Sequence, residues 1–110
     1  MTIEIIAVEH IIRDIITHSD YSENVSSVGI FGSIARGDAT DNSDVDIVMG
    51  YEFKEGSFDY FYLCNEIREM FRKQYGKEVS IVEEVALEYD EYSQIGEEIK
   101  KGLVWICGKQ

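Results

Sequence analysis

Gly32-Ser33 and, ten residues further on, Asp44-Val45-Asp46 are the residues of this chain best suited to chemistry. Gly32 has no Cβ, so backbone there can bend and let a phosphate come close, and the Ser33 hydroxyl adds an uncharged donor. A helix opening at Ser33 would also aim unpaired N–H groups and the positive end of its dipole at that phosphate. Asp44 and Asp46 stand at i and i+2 where an apolar run begins. On a strand such side chains share one side, about 6.5–7 Å apart along the chain, while Val45 turns the other way. The pair can therefore converge on one divalent metal ion beside the phosphate, the equipment of metal-assisted phosphoryl or nucleotidyl transfer. Neither half is specific alone, since Gly-Ser pairs abound in turns and most Asp-x-Asp pairs are solvated. The information lies in the combination.

The elements that must position these residues follow from the spacing of apolar side chains. Ile5, Val8, Ile12, Ile15 and Ile16 recur at helical intervals and predict a helix over 3–18. Strands are predicted over 25–31 and 44–49, with a short helix from Ser33 to about Gly37 and a turn-rich link over 38–42 between them. Ser57 is a candidate cap for a helix whose stripe is Tyr60, Leu63, Cys64, Ile67, Met70 and Phe71, ending near Tyr75-Gly76. A third strand over 78–82, a helix from about Asp90 to Lys101 and a short strand over 103–107 complete an alternating αβ order. That order predicts an α/β (α+β) sandwich, with helices packed on a small mixed sheet of three to four strands.

Length and charge bound the function. The 110 residues allow one domain, 1–110, with a single core. A hydrophobic content of 45% argues against disorder despite a net charge of −12. Ten Lys and Arg against 22 Asp and Glu cannot supply the cationic footprint of a nucleic-acid binder, so direct DNA or RNA binding is not expected. Neither a signal peptide nor an apolar run of membrane-spanning length is evident, which points to a cytoplasmic protein with Cys64 and Cys107 as reduced thiols. His10 and His18 lack metal-ligand spacing and read as ordinary helix residues. Glu83, Glu84, Glu88, Asp90 and Glu91 read as a solvated acidic face, or as a surface for a basic partner. Phe58 to Tyr62 hold more aromatic surface than one core-facing stripe needs, which suggests an exposed patch for a partner or a homodimer.

The string Gly32-Ser33-Ile34-Ala35-Arg36-Gly37 followed by Ser43-Asp44-Val45-Asp46 resembles the signature of the DNA polymerase β-like nucleotidyltransferases, and of the minimal nucleotidyltransferase (MNT) family in particular. The leading helix and the closing stretch from Ile95 to Gly108 are also similar to that family. The resemblance implies a minimal polymerase β-like palm that binds ATP with Mg²⁺. Gly32 and Ser33 would hold the β- and γ-phosphates, and Asp44 and Asp46 would be the metal-binding, catalytic carboxylates. It further implies an antitoxin that transfers AMP to a tyrosine of a HEPN ribonuclease toxin, with pyrophosphate leaving. Arg36 and Ser43 match the same string. Arg36 either reaches a phosphate oxygen or pairs with Asp38 or Asp41 and only fixes the loop. Ser43 is expected to shape the start of the second strand by hydrogen-bonding backbone near Asp44.

One departure stands out. Enzymes of the family carry a third carboxylate on the next strand, in a pattern like Val-Asp-Leu-Val. The corresponding segment is Val79-Ser80-Ile81-Val82, so Ser80 takes the place of that acid. A neutral hydroxyl is a poor metal ligand and a poor base. Glu78 shares the strand parity of Ser80 one pleat earlier and is either a substitute or an exposed strand residue. A base from the partner is another route. Two alternatives to an active adenylyltransferase therefore stay open: an antitoxin that neutralises its toxin by binding alone, and a nucleotide-binding subunit.

Overall fold

The computed structural model describes residues 3–20, 22–52, 59–88 and 93–107. In chain order these form α1 (Ile5–His18), β1 (Val25–Phe31), α2 (Gly32–Arg36), β2 (Val45–Tyr51), α3 (Tyr60–Tyr75), β3 (Val79–Glu83), α4 (Ser93–Lys101) and β4 (Val104–Cys107). Single 3₁₀ turns at Ser22–Asn24 and Glu84–Glu88 complete the order. The strands lie side by side as β3-β2-β1-β4, with β2 and β3 parallel and the other two pairings antiparallel. This is the mixed sheet with packed helices that the alternating pattern predicts.

Strand alternation sorts the sheet into two faces. Val28 and Ile30 of β1, Val45, Ile47 and Met49 of β2, Val79 of β3 and Ile106 of β4 are buried in one cluster with Val8, Ile12 and Ile15 of α1 and Leu63, Ile67 and Phe71 of α3. Each large aliphatic chain buried this completely contributes about 1.5–3 kcal/mol. The intervening residues, Phe31, Asp46, Ser80 and Trp105, belong to the other face. That face is covered in part by the Glu84–Glu88 turn, which contacts β2 and α4.

Element ends differ from the predicted ones in instructive ways. Asp59 caps α3, its carboxylate accepting from the Tyr62 N–H at 3.0 Å, whereas Ser57 lies outside the described residues. Gly76, at φ 62°, closes that helix as its position after Tyr75 predicts. The predicted start of α4 near Asp90 also lies outside the described residues. β2 begins at Val45, leaving Asp44 immediately ahead of it, and β3 begins at Val79, leaving Glu78 ahead of that strand. Cys64 is a buried free thiol on α3. Among the described residues no helix is long and apolar enough to cross a membrane.

Candidate active site

Antiparallel pairing of β1 with β2 sets the site, because Phe31 is opposite Asp46 and Gly32 follows it directly. Gly32 adopts φ 75°, a left-handed conformation that suits glycine. A Cβ placed there would overlap Asp46 Oδ2, so the carboxylate occupies the space a side chain would need. Gly32 opens the short helix α2, one residue ahead of the expected start at Ser33, and the Ser33 carbonyl accepts from the Gly37 and Asp38 N–H groups, both at 3.0 Å. The Gly-Ser turn and Asp46, separated in sequence, are therefore brought together, while Asp44 is exposed just ahead of β2 and acts on Asp46 through its charge.

The loop from Asp38 to Asp44 is held from both ends. The Ser43 hydroxyl accepts from the Thr40 N–H at 2.8 Å, and the Ser43 N–H donates to the Thr40 carbonyl at 3.0 Å. Ser43 thus closes the turn before it rather than bonding backbone near Asp44, which corrects the expectation for this residue. A short hydroxyl reaches back across a tight turn more easily than forward along an extended strand. Two further links come from the segment after α3. Lys77, only 6% exposed, donates through Nζ to the Asp41 carbonyl at 2.5 Å, and the Val45 N–H donates to the Glu78 carbonyl at 3.0 Å. Sequence reasoning missed Lys77, since a lysine beside a helix-ending glycine carries no chemical signature.

Electrostatics mark Asp46 as the unusual acid. Its carboxyl is pushed above the ordinary carboxylate value first by burial and then by the Asp44 charge, with Arg36 pulling the other way. Arg36 forms the ion pair with Asp38 (3.3 Å), one of the two roles its position allowed, while its charge is still felt at Asp46. The native state therefore holds its proton at Asp46 more tightly than the unfolded chain does. Stability falls as pH rises through the window above the ordinary aspartate value, and the cost is fully present once Asp46 is ionised in the folded protein. Asp46→Asn should accordingly raise the melting temperature at neutral pH without metal, by roughly a few degrees given the solvent screening of a half-buried group. The gain should vanish when the melt is repeated at a pH below the unfolded value.

Parallel pairing of β2 with β3 places Ser80 directly beside Asp46. Ser80 is exposed and so stands where a third carboxylate on this face would stand. Glu78 fares worse as a substitute, because it precedes the strand and its charge acts on Arg72 at the end of α3. The charges acting on Asp46 are instead those of Asp44 and Arg36. Among the described residues no group of three His, Cys, Asp or Glu side chains could hold a metal ion, so a cation here would rest on the two aspartates.

A cleft of about 820 Å³ opens beside these residues, lined by Phe31, Gly32, Ser33, Arg36 and Asp46. Its other wall is the last turn of α4, with Glu98, Ile99, Lys101 and Gly102. Ser43, Asp44, Glu78 and Ser80 do not line it. The α4 residues escaped the sequence reading, since helical spacing gives no clue to which sheet edge a helix returns. Two surface expectations can be compared in part, since Phe58, Asp90 and Glu91 lie outside the described residues. Phe61 is 78% exposed and Tyr62 58%, whereas Tyr60 turns in and stacks on Tyr51 at 4.5 Å. Glu83 and Glu84 are not simply solvated: Glu83 accepts from the Tyr51 hydroxyl at 3.2 Å and Glu84 from the buried Ser27 hydroxyl.

Comparison with known proteins follows the same lines. The family model described as polymerase beta nucleotidyltransferase matches residues 12–109. A Methanocaldococcus jannaschii protein provisionally named a protein adenylyltransferase is 38% identical over 58 residues, 53% of this chain. The match spans 56% of that relative, little more than half its length. Among solved structures, one of a minimal nucleotidyltransferase has a TM-score of 0.61 at 20% identity, covering 93% of this chain and 95% of that one. A chain from a toxin-antitoxin complex with AMP-PNP gives 0.60 at 17% identity, with 93% and 74% covered. A chain from the tri-AMPylated Shewanella oneidensis HEPN toxin bound to its MNT antitoxin gives 0.57 at 14%, with 94% and 72% covered. At these identities the structures speak to the fold.

Proposed function

The chain belongs to the polymerase β nucleotidyltransferase family, and from that premise we propose that it is an MNT-type antitoxin that transfers AMP from Mg-ATP to a tyrosine of a HEPN ribonuclease toxin. The observation that carries the reading is the contact across β1 and β2, which sets the Asp46 carboxylate against the backbone of Gly32. Names of similar proteins support it: one is provisionally called a protein adenylyltransferase, and another is an AMPylated HEPN toxin with its MNT antitoxin.

The residues fit a magnesium ion. Two oxygen donors suit a hard cation that keeps waters and phosphate oxygens in its remaining positions. Burial and the neighbouring Asp44 charge disfavour the ionised form of Asp46, a penalty that a cation would relieve. When bound, the metal would polarise the phosphate and neutralise charge on the attacking and leaving oxygens. Gly32 and Ser33 would hold the β- and γ-phosphates, with Arg36 offering a charged donor. The tyrosine oxygen forms a bond to the α-phosphorus while the bond from that phosphorus to the bridging oxygen breaks, and pyrophosphate leaves. The hydroxyl proton must go to a base, and Ser80 is not one.

Incubating the chain with its HEPN partner, labelled ATP and Mg²⁺ should label the partner. Asp44→Asn with Asp46→Asn should reduce labelling on the order of 10²–10³-fold or more, the scale of losing one electrostatic contact to the transition state. Absence of label with both proteins folded would rule out transfer. Ser80 favours a second reading, in which the chain neutralises its partner by binding alone; protection of cells by the double Asn variant would support that one.

A further inference from the structure

We infer that Lys101 of α4 is a phosphate-binding residue of the cleft, held by Glu98 until a polyphosphate arrives; this rests on the nucleotide-binding reading above. Two cations from elements distant in sequence line one cleft, Arg36 from α2 and Lys101 from α4. In a chain with ten Lys and Arg and a net charge of −12, that convergence is not what scattered surface charge would give. Both face the space over Gly32 and Ser33.

The placement is built into the fold. β4 pairs with β1 through Val104 opposite Ile30 and Trp105 opposite Gly29, which fixes the end of α4 beside α2. A Cβ at Gly102 would lie 3.4 Å from Arg36 Cγ, so the arginine stem runs close along the Gly102 backbone. Lys101 follows as the wall residue before that glycine. Each cation is held by a carboxylate of its own segment, Arg36 by Asp38 at 3.3 Å and Lys101 by Glu98 at 2.8 Å. Both side chains of the Lys101–Glu98 pair are 70% exposed. Exposed pairs of this kind exchange readily, and a polyphosphate offers several anionic oxygens against the single carboxylate of Glu98. Lysine suits the task because its compact charge on a flexible stem can leave one anion for another. Cations on two walls favour a chain of phosphates over a single one, so Lys101 selects triphosphate over monophosphate.

Calorimetric titration of the full chain with AMP-PNP and with AMP, each with Mg²⁺, tests this. Lys101→Ala should weaken AMP-PNP binding by about tenfold or more while leaving AMP binding unchanged, as expected for a lost charge-assisted contact. Lys101→Arg should restore most of the affinity, and a melting curve for each variant establishes that it folds. Glu98→Gln should tighten AMP-PNP binding by about two- to fivefold, because it frees Lys101 and removes a like charge from the cleft. Wild-type affinity in Lys101→Ala, alongside weakened binding in Arg36→Ala, overturns the assignment and leaves the nucleotide site standing. Weakening by Glu98→Gln equal to that of Lys101→Ala also overturns it, since the pair is then a structural clasp. A wild-type chain that binds no AMP-PNP overturns both readings.

Discussion

Ser80→Asp should accelerate AMP transfer by about 10²–10⁴-fold, the usual worth of a positioned general base. The expectation follows from the sheet. Ser80 is the parallel partner of Asp46, adjacent strands run about 4.7–4.9 Å apart, and paired residues point to the same face. A carboxylate at 80 would therefore stand next to Asp46 on the same face of the sheet. The serine is exposed, so the larger side chain meets no core. Single-turnover labelling at saturating Mg-ATP measures the gain, and Ser80→Asn, with similar volume but no basicity, should show none. A third negative charge should also lower the melting temperature without metal and make Mg²⁺ more stabilising. Equal rates for Ser80→Asp and wild type would mean that the base comes from the partner or that β3 does not approach the reacting oxygen.

Gly32→Ala should nearly abolish transfer and lower stability by about 1–3 kcal/mol, the range for an ordinary residue in a sparsely populated backbone region. Two causes act together. The backbone at 32 is left-handed at φ 75°, and the new methyl would collide with the Asp46 carboxylate. Either the turn flattens and withdraws from the phosphate, or Asp46 swings away from its partner acid. Gly37→Ala separates the two causes, because Gly37 has φ 83° and nothing within 4 Å of the added Cβ. It should cost only the backbone strain, about 1–2 kcal/mol, and leave the transfer rate within about twofold of wild type. Denaturant melts and labelling rates for the two variants decide the matter. Equal activity in both would remove the steric role assigned to residue 32.

Much of this arrangement is legible in the sequence, for reasons that can be named. Val28, Ile30, Val45, Ile47 and Met49 alternate, and Leu63, Ile67 and Phe71 recur at helical spacing, so strands and helices declare their buried sides. Gly76 after Arg72 and Lys73 marks the end of α3 as the dipole and left-handed cap require. The spacing of Gly32 and Asp46 is legible because two strands joined by a short link lie side by side, and their antiparallel pairing brings these residues together. What stays hidden depends on tertiary placement. Nothing local says that Lys77 reaches the Asp41 carbonyl or that Glu84 takes a hydrogen bond from Ser27 across the sheet. Asp59 and Ser57 are equally good caps by type, and only the backbone decides between them. The cleft wall on α4 depends on which edge β4 joins, and pairing across a long stretch of chain leaves no local trace.

Strand β4, which completes the sheet beside β1, also has a temporal meaning. On a ribosome the Gly-Ser turn and both aspartates emerge well before β4, on the order of several seconds at ordinary rates of synthesis. Through that interval the outer edge of β1 has no neighbour, the bare-edge state in which nascent chains pair wrongly or meet chaperones. A nucleotide held in the cleft as proposed would then favour the native fold only after translation has passed Cys107, acting as a late arbiter of quality rather than a template for folding.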